Sequence, residues 1–205
     1  MHNLPRLPCY LNGEYTVLPE AKVSVMDRGF IFGDGVYEAI PVYAGQPFRF
    51  AHHMARLERS LHETRIPQPH STAQWQEIAL TLIAAYAHST GASTQNTDQF
   101  VYLQVSRGVA MREHVMPQGS TPTVFAMTNA MKPPTAQQRA DGVACVTAED
   151  VRWEKAHIKS TSLLGAVMAR QTSFEAGAVE TVMFRKGCLS EAAASNVWVI
   201  KHGVV

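Results

Sequence analysis

Two consecutive prolines, in the stretch Met131-Lys132-Pro133-Pro134-Thr135, divide this chain. A proline fixes its own φ, has no N–H to donate and pushes the residue before it toward extended backbone. Regular structure does not run through such a pair, so a linker is expected at 131–135. It separates an N-terminal domain at 1–130 from the start of a second at 136–205. With 205 residues, 46% of them hydrophobic, the chain can bury a core in one large domain or two small ones.

Periodicity on the two sides of the break predicts a mixed α+β fold. Asn12-Gly13, between Tyr10-Leu11 and Glu14-Tyr15, is a hairpin turn signal. Strands are expected at 36–43 and 46–50, joined at Ala44-Gly45, and again at 100–106 and 123–127. His53, Met54, Leu57 and Leu61 recur at helical spacing, as do Trp75, Ile78, Leu82 and Tyr86. Beyond the linker, 142–147 reads as a strand. Ser160 or Thr161 is placed to cap a helix through Leu163, Leu164, Val167, Met168 and Phe174, stopped at Gly177. Strands are expected at 179–184 and 197–200, with a turn at Lys186-Gly187 between them.

Charge narrows the function classes. Lys and Arg number 18 against 17 Asp and Glu, a formal +1, which gives no reason to expect nucleic acid or an acidic membrane as partner. Cys9, Cys145 and Cys188 are odd in number and widely spaced, which argues against a disulfide framework and for a reducing compartment. The first residues lack the apolar stretch of a signal peptide, and no apolar run is long enough to span a bilayer. A soluble, cytoplasmic protein acting on small molecules is expected.

Single residues say less. His52-His53 point in different directions on a helix and have no carboxylate or thiol at ligand spacing, so no metal is expected and a surface pair suits His52 better. The glycine-rich stretch 29–35 lacks the Walker lysine and does not match G-x-G-x-x-G. Lys159, in His157-Ile158-Lys159-Ser160, lies between an expected strand and an apolar helix. A lysine partly dehydrated there becomes a nucleophilic amine able to form a Schiff base; local context alone favours an ordinary solvated lysine. Glu191 precedes three alanines and is either paired or a loop carboxylate facing water.

Six stretches in order carry more than any one of them. They are Tyr10-Leu11-Asn12-Gly13; Asp27-Arg28-Gly29-Phe30 leading to Phe32-Gly33-Asp34-Gly35-Val36-Tyr37-Glu38; His53-Met54-Ala55-Arg56-Leu57; Val105-Ser106-Arg107-Gly108; Ile158-Lys159-Ser160 with Leu163-Leu164-Gly165; and Ser190-Glu191-Ala192-Ala193-Ala194-Ser195-Asn196-Val197. Together they resemble the class IV, or fold type IV, pyridoxal-phosphate (PLP) aminotransferases, and most of all the D-amino-acid transaminases.

The resemblance implies a two-domain α+β enzyme in which Lys159 carries PLP covalently and then moves the substrate Cα proton. It implies Glu191 as partner of the pyridine nitrogen, Arg56 as a phosphate ligand, and Ser195 and Asn196 as further cofactor contacts. Tyr37 matches a position that lines the site, and His53 is a further candidate there. Arg112 and His114, in register from Arg107, resemble the R-x-H pair that grips the substrate α-carboxylate and so selects the enantiomer. The implied reaction passes an amino group from a D-alanine-like donor to a 2-oxo acid, 2-oxoglutarate or pyruvate, in a homodimer whose subunits complete each other's sites.

Two departures go with it. Ala192, Ala193 and Ala194 stand where the family usually has serine or glycine, and the family continues well past Val205 with further strands and two phosphate-binding turns. The second domain is therefore expected to be C-terminally incomplete. Alternatives on the same fold are a branched-chain L-amino-acid aminotransferase or an aminodeoxychorismate lyase; a third is a shortened, non-catalytic dimeric homologue.

Overall fold

A computed structural model of the protein describes residues 4–91, 93 and 97–205. The chain divides into two compact units. The first comprises Met1–Lys132 and also His157–Ser162; the second comprises Pro133–Ala156 and Leu163–Val205.

The first unit is a six-stranded antiparallel sheet with two helices on it. Its elements are β1 (Pro8–Leu11), β2 (Glu14–Val17), a short α1 (Arg28–Phe32), β3 (Gly35–Tyr43), β4 (Gln46–Pro47), α2 (Phe50–Thr64), α3 (Thr72–Thr90), β5 (Gln99–Ser106) and β6 (Thr123–Ala130). The order across the sheet is β2-β1-β6-β5-β3-β4. Asn12 and Gly13 take φ of 50° and 101°, the paired positive values of a tight hairpin turn, and close β1 onto β2 in the register Leu11↔Glu14. Thus the first expected hairpin forms.

Alternation in the strands sets which face is covered. Val36, Glu38, Ile40 and Val42 of β3 are buried, as are Val101, Leu103 and Val105 of β5. The apolar ones meet Met54, Leu57 and Leu61 of α2 and Trp75, Ile78 and Leu82 of α3 in one core. Burying each such large apolar side chain stabilises the fold by roughly 1.5–3 kcal/mol. Tyr37, Ala39, Tyr102, Gln104 and Phe125, on the other face, are only half-buried. Ser71 caps α3 in a capping box with Gln74, and Gly91 ends that helix in the left-handed region at φ 67°.

The second unit holds α4 (Ala136–Asp141), β7 (Cys145–Glu149), α5 (Leu164–Glu175), β8 (Glu180–Arg185) and β9 (Cys188–Ala192). Its sheet runs β7-β8-β9, with β7 parallel to β8 and β9 antiparallel to it. Thr135, the last residue of the Pro-Pro stretch, caps α4 in a second capping box with Gln138.

Three local expectations are corrected. Only Gln46 and Pro47 pair with β3; the Phe48 N–H then bonds the Pro41 carbonyl, Arg49 turns left-handed at φ 49°, and Phe50 begins α2. The strand after Lys186-Gly187 is Cys188–Ala192, and 197–200 carries none: Trp198, Val199 and Ile200 are exposed and have no pairing partner among the described residues. Neither Ser160 nor Thr161 caps α5. The Thr161 hydroxyl donates to the Gly33 carbonyl at 2.9 Å, and Leu163 stands at the cap with no side-chain bond.

Candidate active site

The segment His157–Ser162 belongs to the first unit because its backbone joins β3. The Tyr37 N–H donates to the Lys159 carbonyl at 3.0 Å, the Thr161 N–H donates to the Gly35 carbonyl at 2.9 Å, and Val36 and Ser160 form an antiparallel bridge. Alternation then sorts the side chains. Ile158 enters the core, while Lys159, half-buried, lies over the ring of Tyr37 with Nζ 4.2 Å from its centroid. Tyr37 stacks in turn on Tyr102 at 5.6 Å, and the Tyr102 hydroxyl donates to Gln104 Oε1 at 2.7 Å. Burial, with Tyr37 beside it, pushes the Tyr102 phenol up to about 12, so it remains a hydroxyl donor.

Glu38, next along β3, goes to the opposite face and is fully buried. A carboxylate there needs hydrogen-bonding partners, and α2 supplies two from positions three apart. Arg56 donates from Nε at 2.6 Å and from Nη2 at 2.7 Å, and His53 Nδ1 lies 2.7 Å from Oε2. Burial alone would raise the Glu38 carboxyl, but the bonds from Arg56 and His53 hold it below its ordinary value. Arg56 is answered in kind and its guanidinium is pushed up by Glu38. Its third nitrogen, Nη1, donates to nothing among the described residues.

Arg112 and His114 are exposed on the loop between β5 and β6. Both face Phe32: the Arg112 guanidinium carbon is 5.4 Å from its ring centroid, and the His114 ring 5.6 Å. Neither side chain is hydrogen-bonded to a described residue.

In the second unit, Glu191 on β9 is half-exposed and accepts from Arg152 Nη1 at 2.5 Å. Arg152 is itself fixed by buried Asp150. The Arg152 guanidinium holds the Asp150 carboxyl far below the usual carboxylate range. The Ser195 hydroxyl donates to Glu180 Oε2 at 2.7 Å. Asn196 is exposed with no hydrogen-bond partner among the described residues. Burial would push the Glu180 carboxyl up, but bonds from Ser195, Thr181 and Ala194 bring it below its ordinary value.

The structure thus brings Lys159 to Tyr37, His53 to Arg56 through Glu38, and Arg112 to His114 on Phe32. Sequence reasoning gave no role to Glu38, Phe32, Tyr102 or Arg152. Glu38 had a readable signal, an acid at the buried parity of Val36, Ile40 and Val42.

Comparison with known proteins places this geometry in a family. The model of the class IV amino-transferases matches residues 35–205. The chain is 38% identical over 197 residues to a D-alanine aminotransferase of Staphylococcus aureus, covering 96% of this chain and 67% of that protein. It is 39% identical over 194 residues to the D-alanine aminotransferase of Bacillus licheniformis, 95% of this chain and 65% of that one. The chain therefore belongs to the class IV amino-transferase family, and it spans about two thirds of the length of these relatives. Among solved structures, a fold IV-transaminase from Curtobacterium pusillum superposes with a TM-score of 0.76 at 26% identity, over 93% of this chain and 64% of that chain. A hypothetical aminotransferase from Mycobacterium tuberculosis, in its PLP-bound form, shares the fold, with a TM-score of 0.71 at 20% identity, over 92% of this chain and 66% of that one. The expected fold type IV, α+β architecture is the one the chain has. No helix among the described residues is long and apolar enough to cross a membrane.

Proposed function

We propose that this chain is a PLP-dependent transaminase that passes the amino group of a D-amino acid, D-alanine or one like it, to a 2-oxo acid such as 2-oxoglutarate or pyruvate. One observation carries the reading: an amine, Lys159, sits half-buried against an aromatic face in a chain whose relatives are D-alanine aminotransferases.

The residues fit the cofactor. Arg56 has an unengaged guanidinium nitrogen suited to a phosphate, and Glu191 is a carboxyl group that accepts from Arg152 through Oε2, with Oε1 unengaged among the described residues. Lys159 would hold the aldehyde carbon of PLP, Glu191 its ring nitrogen and Arg56 its phosphate, with Ser195 and Asn196 as further contacts. PLP, when bound, supplies the electron sink for a carbanion at the substrate Cα.

The chain's own residues do the rest. Lys159 Nζ takes the Cα proton as general base and returns a proton as general acid. Tyr37 covers one side of that amine and keeps water from it. Arg112 and His114 grip the α-carboxylate through charge-assisted bonds. A carboxylate fixed on one side decides which Cα substituent faces the lysine, and hence which enantiomer reacts. His53 supports Arg56 through Glu38.

A homodimer in the cytoplasm completes the reading. Exposed Phe174, Trp198 and Ile200 in the second unit suit burial against another surface, and the free, exposed Cys145 and Cys188 suit a reducing compartment. Light scattering at twice the chain mass tests the dimer.

The deciding experiment supplies the PLP-loaded protein with 2-oxoglutarate and either D- or L-alanine. Pyruvate is expected from D-alanine only, and not from Lys159→Ala. Turnover of L-leucine in preference to D-alanine, or pyruvate release from aminodeoxychorismate, would overturn the assignment.

A further inference from the structure

We propose that Phe32 and Arg28 are positioning residues that hold the Arg112–His114 pair where a substrate carboxylate can be gripped; this rests on reading that pair as the carboxylate clamp.

Arg112 and His114 belong to a long loop with no helix or strand of its own. Long side chains on such a loop lose rotamer freedom when they bind, and that loss weakens binding unless something holds them first. Three fastenings do so here. The Arg28 N–H donates to the Gly108 carbonyl at 2.9 Å, and an antiparallel bridge joins Asp27 to Val109. Arg28 Nη1 donates at 2.6 Å to the carbonyl of Glu113, the residue between the pair. The ring of Phe32 carries Arg28 at 4.7 Å, Arg112 at 5.4 Å and His114 at 5.6 Å.

The anchor behind them is rigid. Buried Arg28 donates to Asp34 Oδ2 at 2.7 Å, and the same carboxylate takes Nε and Nη2 of buried Arg107 at 2.8 and 2.9 Å. Arg107 reaches on to the carbonyls of Thr64 and Arg65 at the C-terminal end of α2, at 2.7 and 2.9 Å. Charge-assisted bonds thus run without a gap from a packed helix to the backbone between Arg112 and His114.

An aromatic ring is the right support for Arg112. A carboxylate would orient the guanidinium by engaging its N–H donors, which a substrate needs. A ring attracts the cation through its face and leaves the donors free. Among the described residues Arg112 makes no hydrogen bond, as a waiting clamp requires.

The test compares the full chain, loaded with PLP, with Phe32→Leu and Phe32→Tyr. In Phe32→Leu the KM for D-alanine and the calorimetric Kd for propanoate should each rise by up to roughly tenfold, the scale set by ordering one free side chain on binding. The kcat/KM for sec-butylamine, a donor without a carboxylate, should stay unchanged, and Phe32→Tyr should match the parent. An unchanged propanoate Kd in Phe32→Leu, while Arg112→Ala raises it, overturns the positioning role and leaves the clamp standing. An Arg112→Ala variant that binds propanoate as the parent does sinks the clamp, and the proposal with it. Equal losses on D-alanine and sec-butylamine mark the ring as merely structural and also overturn it. If Phe32→Leu does not fold, Arg28→Lys, which loses the reach to Glu113 and keeps the charge, decides by the same measurements.

Discussion

Glu38→Gln tests whether the buried charge cluster on β3 holds the first unit together. The carboxylate is fully buried and its three contacts, two from Arg56 and one from His53, lie at 2.6–2.7 Å. Hydrogen bonds to charged groups contribute about 1.5–3 kcal/mol each, and removing one partner of a buried pair costs about 3–5 kcal/mol. Two features reduce that. The Arg56 side chain is 40% exposed and can turn its charge to water, and glutamine keeps one oxygen as acceptor. We expect a loss of about 2 kcal/mol at pH 7, roughly 4–8 °C in Tm for a chain of this size. The pH dependence separates charge from packing. The folded Glu38 carboxyl lies below its ordinary 4.5, so the ionised form stabilises the fold above that pH, and the contribution fades as pH falls through the folded value. Urea unfolding of parent and variant, from pH 7 down to the lowest pH at which the parent stays folded, should therefore show a gap that closes on acidification. A gap below about 0.5 kcal/mol at pH 7, within the ordinary effect of a surface substitution, would refute the reasoning. So would a gap that stays constant on acidification.

Three further outcomes follow from the structure. Gly108 has φ +92°, and a Cβ there would fall well inside contact with the Thr121 carbonyl oxygen; Gly108→Ala should destabilise by about 2–3 kcal/mol in thermal unfolding and loosen the Arg112 loop. The Arg6–Glu20 pair is 69% and 56% exposed, so Arg6→Ala should change stability by less than about 0.5 kcal/mol in urea titration. Glu191→Gln should slow D-alanine turnover by roughly 10²-fold or more while PLP, followed by fluorescence titration, binds with nearly unchanged affinity.

Much of the first unit was legible because its signals are local. Asn12-Gly13 closes its hairpin, and the apolar spacings of α2 and α3 face the sheet. Where the reading went wrong, a distant partner decided. Val197 to Ile200 have the composition of a strand, but a strand also needs a neighbour to bond, and β8 takes Cys188–Ala192 instead. Ser160 and Thr161 look like helix caps, yet Gly33 and Gly35 hold the Thr161 side chain. The candidate site divides in the same way. Lys159, Arg56, Arg112 and Glu191 are proposed from motifs in sequence order. Phe32 and Arg152 became visible only as the side chains that Arg112 and Glu191 touch, and Tyr102 only as the ring beside Tyr37.

Strand β3 ties stability to the proposed chemistry. Tyr37 and Glu38 are neighbours that must leave on opposite faces. One meets the Lys159 amine, and the other, buried, pairs with Arg56. A slip of one residue in the register Tyr37↔Gln104 would bury the tyrosine and turn the carboxylate outward, removing both arrangements together. The register is held from both ends, by the Val36–Ser160 bridge at one and the Ala44-Gly45 turn at the other. A substitution that merely loosens either end should therefore reduce activity and stability in parallel, whereas one at Tyr37 itself should reduce activity with little change in unfolding.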